Sequence, residues 1–378
     1  MGRQRNVFNA REASEPMITI IGAGPAGSYL AYLLAKRGKD VTLVEEHDAV
    51  GSPVQCTGIV TGSIEKFVTL PKSVIANRCR KVVVVSRQRR MTADVDEIVM
   101  WRNRFDRFLA DKAQKAGARI LLSHKFLSSA AHSVTLKDKK SNEIKEVKAD
   151  AIVGADGPYS AVARAAGIPH NNRFYIGIQA KVKLKMGGEA FETHFGEDYP
   201  GFFGWVVPES EDTVRIGLGA MKDAQPLFYR FLGKMTGKRD ILCWESGIIP
   251  LYNPRQQLQK GNVYLIGDAA TQVKATTGGG IIPSMKAAHT LCDCIVHGRN
   301  YNLAYKMASG KELWLHLGMR NMLNRFSDED YDRLLGLMDS GKVRRVLGRY
   351  DRDTPIPLLL NLALREPRFF SFVKKAWG

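Results

Sequence analysis

The sequence predicts an α/β protein in which a doubly wound parallel sheet is interleaved with an antiparallel-sheet domain and followed by a helical C-terminal region. Three observations carry this. A strand, a glycine-rich turn, a helix and a second strand follow one another from Met17. Two further buried strands end in Asp156-Gly157 and Gly267-Asp268. The chain between those two turns breaks into short β-branched and aromatic runs.

The first unit reads Met17-Ile-Thr-Ile-Ile-Gly-Ala-Gly-Pro-Ala-Gly-Ser, with apolar positions Tyr29, Leu30, Leu33 and Leu34 predicting a helix that ends near Gly38. This is the strand, GxGxxG, helix pattern of a Rossmann-type unit. Gly22 permits the tight turn, Gly24 lets the backbone approach a pyrophosphate, and Gly27 lets helix and strand pack closely. Strand Val41 to Val44 ends on Glu45, eighteen residues past Gly27, where a carboxylate can accept hydrogen bonds from an adenosine ribose. Asp268 and the Gly278 to Gly280 backbone follow the last parallel strand. In a doubly wound sheet they meet the far end of an extended dinucleotide, and the spacing implies FAD. Asp156 and Arg164 read either as flavin or substrate contacts or as an Asp-Gly turn with an arginine capping a helix. The runs Tyr175 to Leu184, Phe191 to Phe195, Phe203 to Val207 and Val214 to Leu218 predict the antiparallel sheet.

Composition bounds the function classes. The 378 residues are 44% hydrophobic and 25% charged with a net charge of +18, ordinary for a globular chain with anionic partners. Five cysteines without a CxxC pair fit neither a disulfide framework nor a zinc module, and the histidines show no metal-ligand spacing, so no metal site is expected. No apolar run reaches the ~18 residues that a membrane span needs. Residues 1–16 have no periodicity, and the fold reading begins at Met17. P-loop, GxSxG, RNP, KH and helix-turn-helix patterns are missing, so no nucleic-acid partner is expected.

The GAGPAG start with Glu45, Arg102-x-x-Phe105-Asp106, the Ala155-Asp156-Gly157 turn and Gly267-Asp268-Ala-Ala together resemble the flavoprotein superfamily of aromatic hydroxylases and related reductases. More narrowly, Pro53-Val-Gln-Cys56-Thr-Gly58 and Phe203-Gly-Trp205-Val-Val-Pro208-x8-Gly217 resemble the geranylgeranyl reductase family. Its motif is Tyr-x-Trp-x-Phe-Pro-x8-Gly, and here Phe203 replaces Tyr and Val207 replaces Phe. The resemblance runs from Met17 to Lys375.

The resemblance implies cofactor contacts at Gly22, Gly24, Ala26, Gly27, Glu45, Cys56, Thr57, Arg102, Asp268, Gly280 and Ile281. It implies a prenyl groove at Phe203, Trp205, Pro208 and Gly217. Residues 17–165 and 259–298 would form the two parts of the FAD-binding domain, 166–258 the antiparallel substrate domain and 299–378 the helical region. Cys56 would lie beside the flavin, where a thiol can give a proton, although a lone cysteine is usually a small buried hydrophobe. Cys79, Cys243, Cys292 and Cys294 are read as structural. Arg104 and Arg107 are read as solvated.

The implied activity is FAD-dependent reduction of isoprenoid double bonds in membrane-lipid precursors, with NAD(P)H or reduced ferredoxin as electron donor. Monooxygenation and electron transfer to a quinone are the alternatives on the same scaffold. The stretch Lys72 to Ala93 holds seven Lys or Arg and no acid, and Leu358 to Trp377 mixes apolar residues with cations. Both suit contact with an anionic bilayer, which predicts a cytoplasmic enzyme peripheral on the inner face of the cell membrane.

Overall fold

The computed structural model describes residues 16–169, 173–237, 240–350 and 352–377; the aperiodic residues 1–15 lie outside this set. Short strands rich in β-branched residues build a six-stranded sheet in the order Gln259–Lys260, Val263–Leu265, Ala151–Gly154, Ile18–Ile21, Val41–Val44, Arg119–Leu121. All its pairings are parallel except that of the edge strand Gln259–Lys260. Both faces are covered, so Ile18–Ile21 and Val41–Val44 are buried along their whole length, as parallel strands between helices must be. Helices Pro25–Ala35, Arg102–Lys115 and Ile281–His297 supply that cover through Leu30, Leu34, Phe105, Leu109, Met285 and Leu291.

A second sheet of eight strands runs in the order Ile241–Pro250, Phe174–Lys183, Thr213–Ala220, Gly204–Pro208, Ala190–His194, Ile75–Val85, Arg90–Met100, Ile59–Thr61. It draws on two stretches of chain, 59–100 and 174–250. The expected antiparallel order therefore needs one correction. Ala190–His194 pairs in parallel with Ile75–Val85, because that hairpin enters from the N-terminal stretch and joins the sheet at its far side. A separate three-stranded antiparallel sheet, His124 to Lys148, forms an appendage.

The large sheet has two unlike faces. On Phe174–Lys183 and Thr213–Ala220 the even-numbered residues Ala180, Val182, Val214, Ile216 and Leu218 are buried against helix Ala224–Thr236 through Phe228, Phe231 and Leu232. Successive side chains of a strand alternate in direction, so the odd-numbered set, Gly177, Gln179, Arg215, Gly217 and Gly219, faces the other way, toward the parallel sheet.

Five C-terminal helices follow, Lys311–Leu323, Asp328–Met338, Gly341–Leu347, Pro355–Arg365 and Phe370–Trp377, and of these Asp328–Met338 and Gly341–Leu347 close over the Ile75–Val85 and Arg90–Met100 hairpin. Leu335, Met338 and Leu347 pack on Met91, Ala93, Val82 and Val84. A buried polar knot ties this layer down. Lys274 Nζ donates to Asp353 Oδ1, and Thr61 Oγ1 donates to Asp353 Oδ2 at 2.7 Å. Burial pushes the Asp353 carboxyl up, but Lys274 and the Thr61 hydroxyl more than offset it and hold it at about 2.

Removing one member of a buried ion pair strands the other. Asp353→Ala is therefore expected to lower the unfolding free energy by about 3–5 kcal/mol, whereas Lys274→Met with Asp353→Leu should cost far less. Guanidinium unfolding curves of the two variants check this.

Candidate active site

The carboxyl ends of the parallel strands and the odd-numbered face of the large sheet enclose a cleft of about 1020 Å³. That is at the upper end of small-molecule sites, roughly 300–1,000 Å³. At one end, Gly22 sits at φ +103° with Ala155 O only 2.4 Å from where a Cβ would stand, and a Cβ on Gly27 would meet Gly22 O at 2.0 Å. Those glycines answer to the chain's own packing. Gly24 does not: its φ of −68° suits any residue, and a Cβ there would meet nothing within 4 Å. Gly24 faces the cleft beside Pro25 and Ala26, so the reason for a glycine lies in what the cleft holds. The eleven-residue helix Pro25–Ala35 starts there, with backbone N–H groups and its positive end toward the cleft.

Glu45 braces this turn. Its Oε2 accepts from Ala23 N at 2.9 Å, and its Oε1 accepts from His47 N at 3.0 Å and lies 2.6 Å from His47 Nδ1. A second helix terminus reaches the same cleft. Gly278, Gly279 and Gly280 lead into the seventeen-residue helix Ile281–His297, and Gly280, Ile281 and Asp268 all line the cleft. Burial raises the Asp268 carboxyl to about 6, against the pull of Arg102. The geometry fits an extended dinucleotide: two helix N-termini, an open glycine and a buried carboxyl lie along one trough.

Between them runs the loop 53–58. Cys56 is half-buried; its Sγ accepts from Gly58 N at 3.4 Å and interacts electrostatically with the nearby Arg102 guanidinium. Arg102 in turn makes a two-pronged pair with Asp106, Nε to Oδ1 at 3.1 Å and Nη2 to Oδ2 at 2.9 Å, and its Cγ lies 3.0 Å from a Cβ position on Gly58. Burial works against the Arg102 charge, but Asp106 and Cys56 raise its pKa overall. Thr57 Oγ1 donates to Gln179 Oε1 at 2.7 Å, and Arg215 Nη1 donates to the Cys56 carbonyl at 3.1 Å.

Beyond Cys56 apolar side chains predominate in the cleft wall, which Asp94 and the paired Glu97 and Arg352 also border. Phe203 and Trp205 line it together with Phe195, Phe202, Ile249 and, from the C-terminal helices, Leu335, Leu347 and Leu358. Gly217 stands directly opposite Trp205 in the sheet, and a Cβ there would lie 2.3 Å from the indole ring. Gly217 is thus the floor on which Trp205 rests. Pro208 is buried at the end of its strand; its carbonyl accepts from Asn77 Nδ2 at 3.1 Å, and it does not border the cleft.

Asp156 resolves toward its structural alternative. Its Oδ2 accepts from Ala161 N at 2.7 Å and Val162 N at 3.1 Å, and Arg164 Nη1 donates to Tyr159 O at 2.5 Å, so both residues secure the start of helix Ala161–Ala165. Gln179, Glu245 and Arg215 join the site without having been expected there. Their one legible signal was the alternation in Phe174–Lys183, where Gln179 and Lys181 interleave with Ile178, Ala180 and Val182.

Comparison with known proteins agrees with this geometry. The FAD binding domain family model matches residues 15–225. The chain is 28% identical over 364 residues to a digeranylgeranylglycerophospholipid reductase of Methanothrix thermoacetophila, covering 87% of this chain and 93% of that one. A solved geranylgeranyl bacteriochlorophyll reductase-like protein of Thermoplasma acidophilum superposes with a TM-score of 0.82 at 21% identity, covering 95% of this chain and all of that one. The flavin-dependent halogenase CmlS shares the fold with a TM-score of 0.68 at 18% identity, over 96% of this chain and 78% of that one.

The raised Asp268 carboxyl makes a pH prediction for the ligand-free protein. Its folded pKa of about 6 exceeds the ordinary 3.8, so the folded state holds the proton longer than the unfolded chain does. Stability should fall as pH rises from about 4 to 6. Asp268→Asn should remove that slope and stabilise the protein above pH 6 by about 1–3 kcal/mol. Thermal unfolding across pH 4–8 measures it.

Proposed function

The chain belongs to the FAD binding domain family, and from that premise we propose that it is an FAD-dependent reductase of isoprenoid carbon–carbon double bonds in membrane-lipid precursors. The observation that carries this reading is the continuity of the cleft. A trough suited to a dinucleotide opens at Cys56 and Trp205 into an apolar groove that runs under the C-terminal helices. A long hydrocarbon chain needs such a groove, with few polar groups to fix it. Monooxygenation and halogenation use related scaffolds, but neither accounts for the reductase names among the relatives.

FAD in its reduced form supplies the hydride. The protein's residues do the rest. Gly24 and Ala26, in the turn whose shape Gly22 and Gly27 fix, would take the pyrophosphate, and Glu45 the ribose end. Asp268, Gly280, Ile281, Thr57 and Arg102 would hold the remainder. Phe203 and Trp205 would press the alkene into register and exclude water. An isolated alkene accepts hydride poorly, so a proton must arrive at the second carbon in the same dry space. Cys56 Sγ would give that proton. The Gly58 N–H already bonded to the sulfur, and the positive charge of Arg102 nearby, would stabilise the thiolate left behind until solvent restores its proton.

The C-terminal surface supports a site of action at a bilayer. Ile356, Leu360 and Leu364 are 43%, 60% and 79% exposed along one side of helix Pro355–Arg365, while Leu358 of the same helix lines the cleft. An exposed apolar stripe beside Arg365 suits a headgroup interface, while Arg368 is held by Glu366. The basic stretch from Lys72 contributes less than its composition suggests. Arg78, Arg80, Lys81, Arg87 and Arg90 are paired with Glu65, Asp96, Glu189, Asp328 and Glu192. Among the described residues no helix is long and apolar enough to cross a membrane. The proposal is therefore an enzyme peripheral to the cytoplasmic face, taking electrons from NAD(P)H or a reduced ferredoxin.

Expression in a host that makes geranylgeranyl lipids, followed by mass spectrometry, should show products heavier by two daltons per reduced bond. Cys56→Ala should keep its FAD yet slow prenyl reduction by about 10²- to 10⁴-fold, with Cys56→Ser less affected. Lipids unchanged in mass would refute the reductase reading. A wild-type rate in Cys56→Ala would assign the proton to another donor.

A further inference from the structure

On the cleft face of the large sheet, Glu245, Gln179, Gly217 and Trp205 stand in one row across four neighbouring strands. Neighbouring strands lie about 4.8 Å apart, so Trp205 and Gln179, two strands from each other, would ordinarily be separated by the side chain between them. That side chain is missing at Gly217. The indole lies across the glycine and donates from Nε1 to Gln179 Oε1 at 3.2 Å. The same oxygen accepts from Thr57 Oγ1 at 2.7 Å, so both of its lone pairs are used. The amide nitrogen donates to Glu245 Oε2 at 2.5 Å. Glu245 Oε2 also accepts from Arg215 Nη1 at 2.7 Å, and that nitrogen donates to the Cys56 carbonyl.

Gln179 is only 4% exposed, and Arg215 and Glu209, which continue the network, are buried too. Buried charges of this kind add little stability compared with apolar packing, so their presence calls for another role. Here every arm of Gln179 ends on a part of the site. One holds the groove wall at Trp205. The second holds Thr57, next to Cys56, and the third reaches the Cys56 carbonyl through Glu245 and Arg215.

We propose that Gln179 is a positioning residue that sets the Trp205 wall and the Cys56 loop in fixed relation to each other. A substrate pressing on the indole would thereby set the loop that faces the cofactor. This deepens the isoprenoid reductase reading and rests on it for the identity of the substrate; the coupling itself is read from the thiol.

The test uses FAD-loaded protein in a Cys243→Ser background, which removes the exposed second thiol. Alkylation of Cys56 by iodoacetamide, followed by mass spectrometry, is compared in wild type, Trp205→Phe, Gln179→Leu and the double variant. Trp205→Phe keeps an aromatic ring but loses the N–H, and Trp205 has no bond of its own to the loop. It should nevertheless change the Cys56 alkylation rate by about threefold or more, and should add nothing once Gln179 is leucine, since coupled neighbours are not additive. Should Gln179→Leu fail to fold, the Trp205→Phe rate alone decides. An unchanged rate in Trp205→Phe, or effects that multiply in the double variant, would overturn the proposal. Turnover of a geranylgeranyl lipid is measured alongside, with kcat expected to fall in Gln179→Leu and KM to stay near wild type. Failure of the wild type to reduce that lipid would defeat the reductase reading while leaving the alkylation result to stand or fall separately.

Discussion

Gly217 carries no side chain because the Trp205 indole occupies the space one would need. That steric constraint orders the whole cleft face of the large sheet. With a Cβ at 217 the indole would be lifted from the sheet, its N–H would leave Gln179, and the groove wall would come away from the loop that carries Cys56. The tryptophan and glycine of the motif Trp-x-x-Pro-x8-Gly are therefore one device: register partners on adjacent strands, one filling the room that the other leaves. Gly219 likewise leaves room for a ring, since a Cβ there would stand 2.5 Å from Phe202.

The constraint has an energetic counterpart. A sheet that packed apolar side chains on both faces would be simpler to stabilise, and the even-numbered face under helix Ala224–Thr236 does so. The odd-numbered face instead buries Arg215 with Glu209 and Glu245 and satisfies them with Gln179, Lys181 and a backbone carbonyl. Charges so placed are tolerated only while each keeps its partners, which makes the face rigid and intolerant of single changes. Rigidity is what a site needs when an alkene, a cofactor and a proton donor must meet within bonding distance.

The parallel sheet and the glycine turn at its carboxyl end were legible in the sequence because their determinants are local. Gly22, Gly24, Gly27 and Glu45 lie within one strand-helix-strand unit, and the Gly267-Asp268 turn is contiguous. The large sheet was legible only in part. The runs after Tyr175 read as strands, but nothing local says that the hairpin 75–100 joins them, or that one join is parallel, because that pairing closes over a hundred residues. Distance likewise hid three of the acids that neutralise the basic stretch from Arg78 to Arg90, namely Glu189, Glu192 and Asp328. Gln179, Glu245 and Arg215 escaped notice because each alone is an ordinary polar residue in a strand. Their meaning lies in cross-strand register, which no single segment encodes.

A reduced flavin, a thiol and an isoprenoid alkene would meet in this cleft. Anaerobic single turnover tests this most directly: protein loaded with FAD is reduced with dithionite, freed of excess reductant, and mixed with a geranylgeranyl lipid without oxygen. The oxidised flavin absorbance is expected to return together with a lipid heavier by two daltons, at one reduced bond per flavin. Flavin that stays reduced with the lipid and reoxidises only when oxygen is admitted, leaving the double bonds intact, would contradict it.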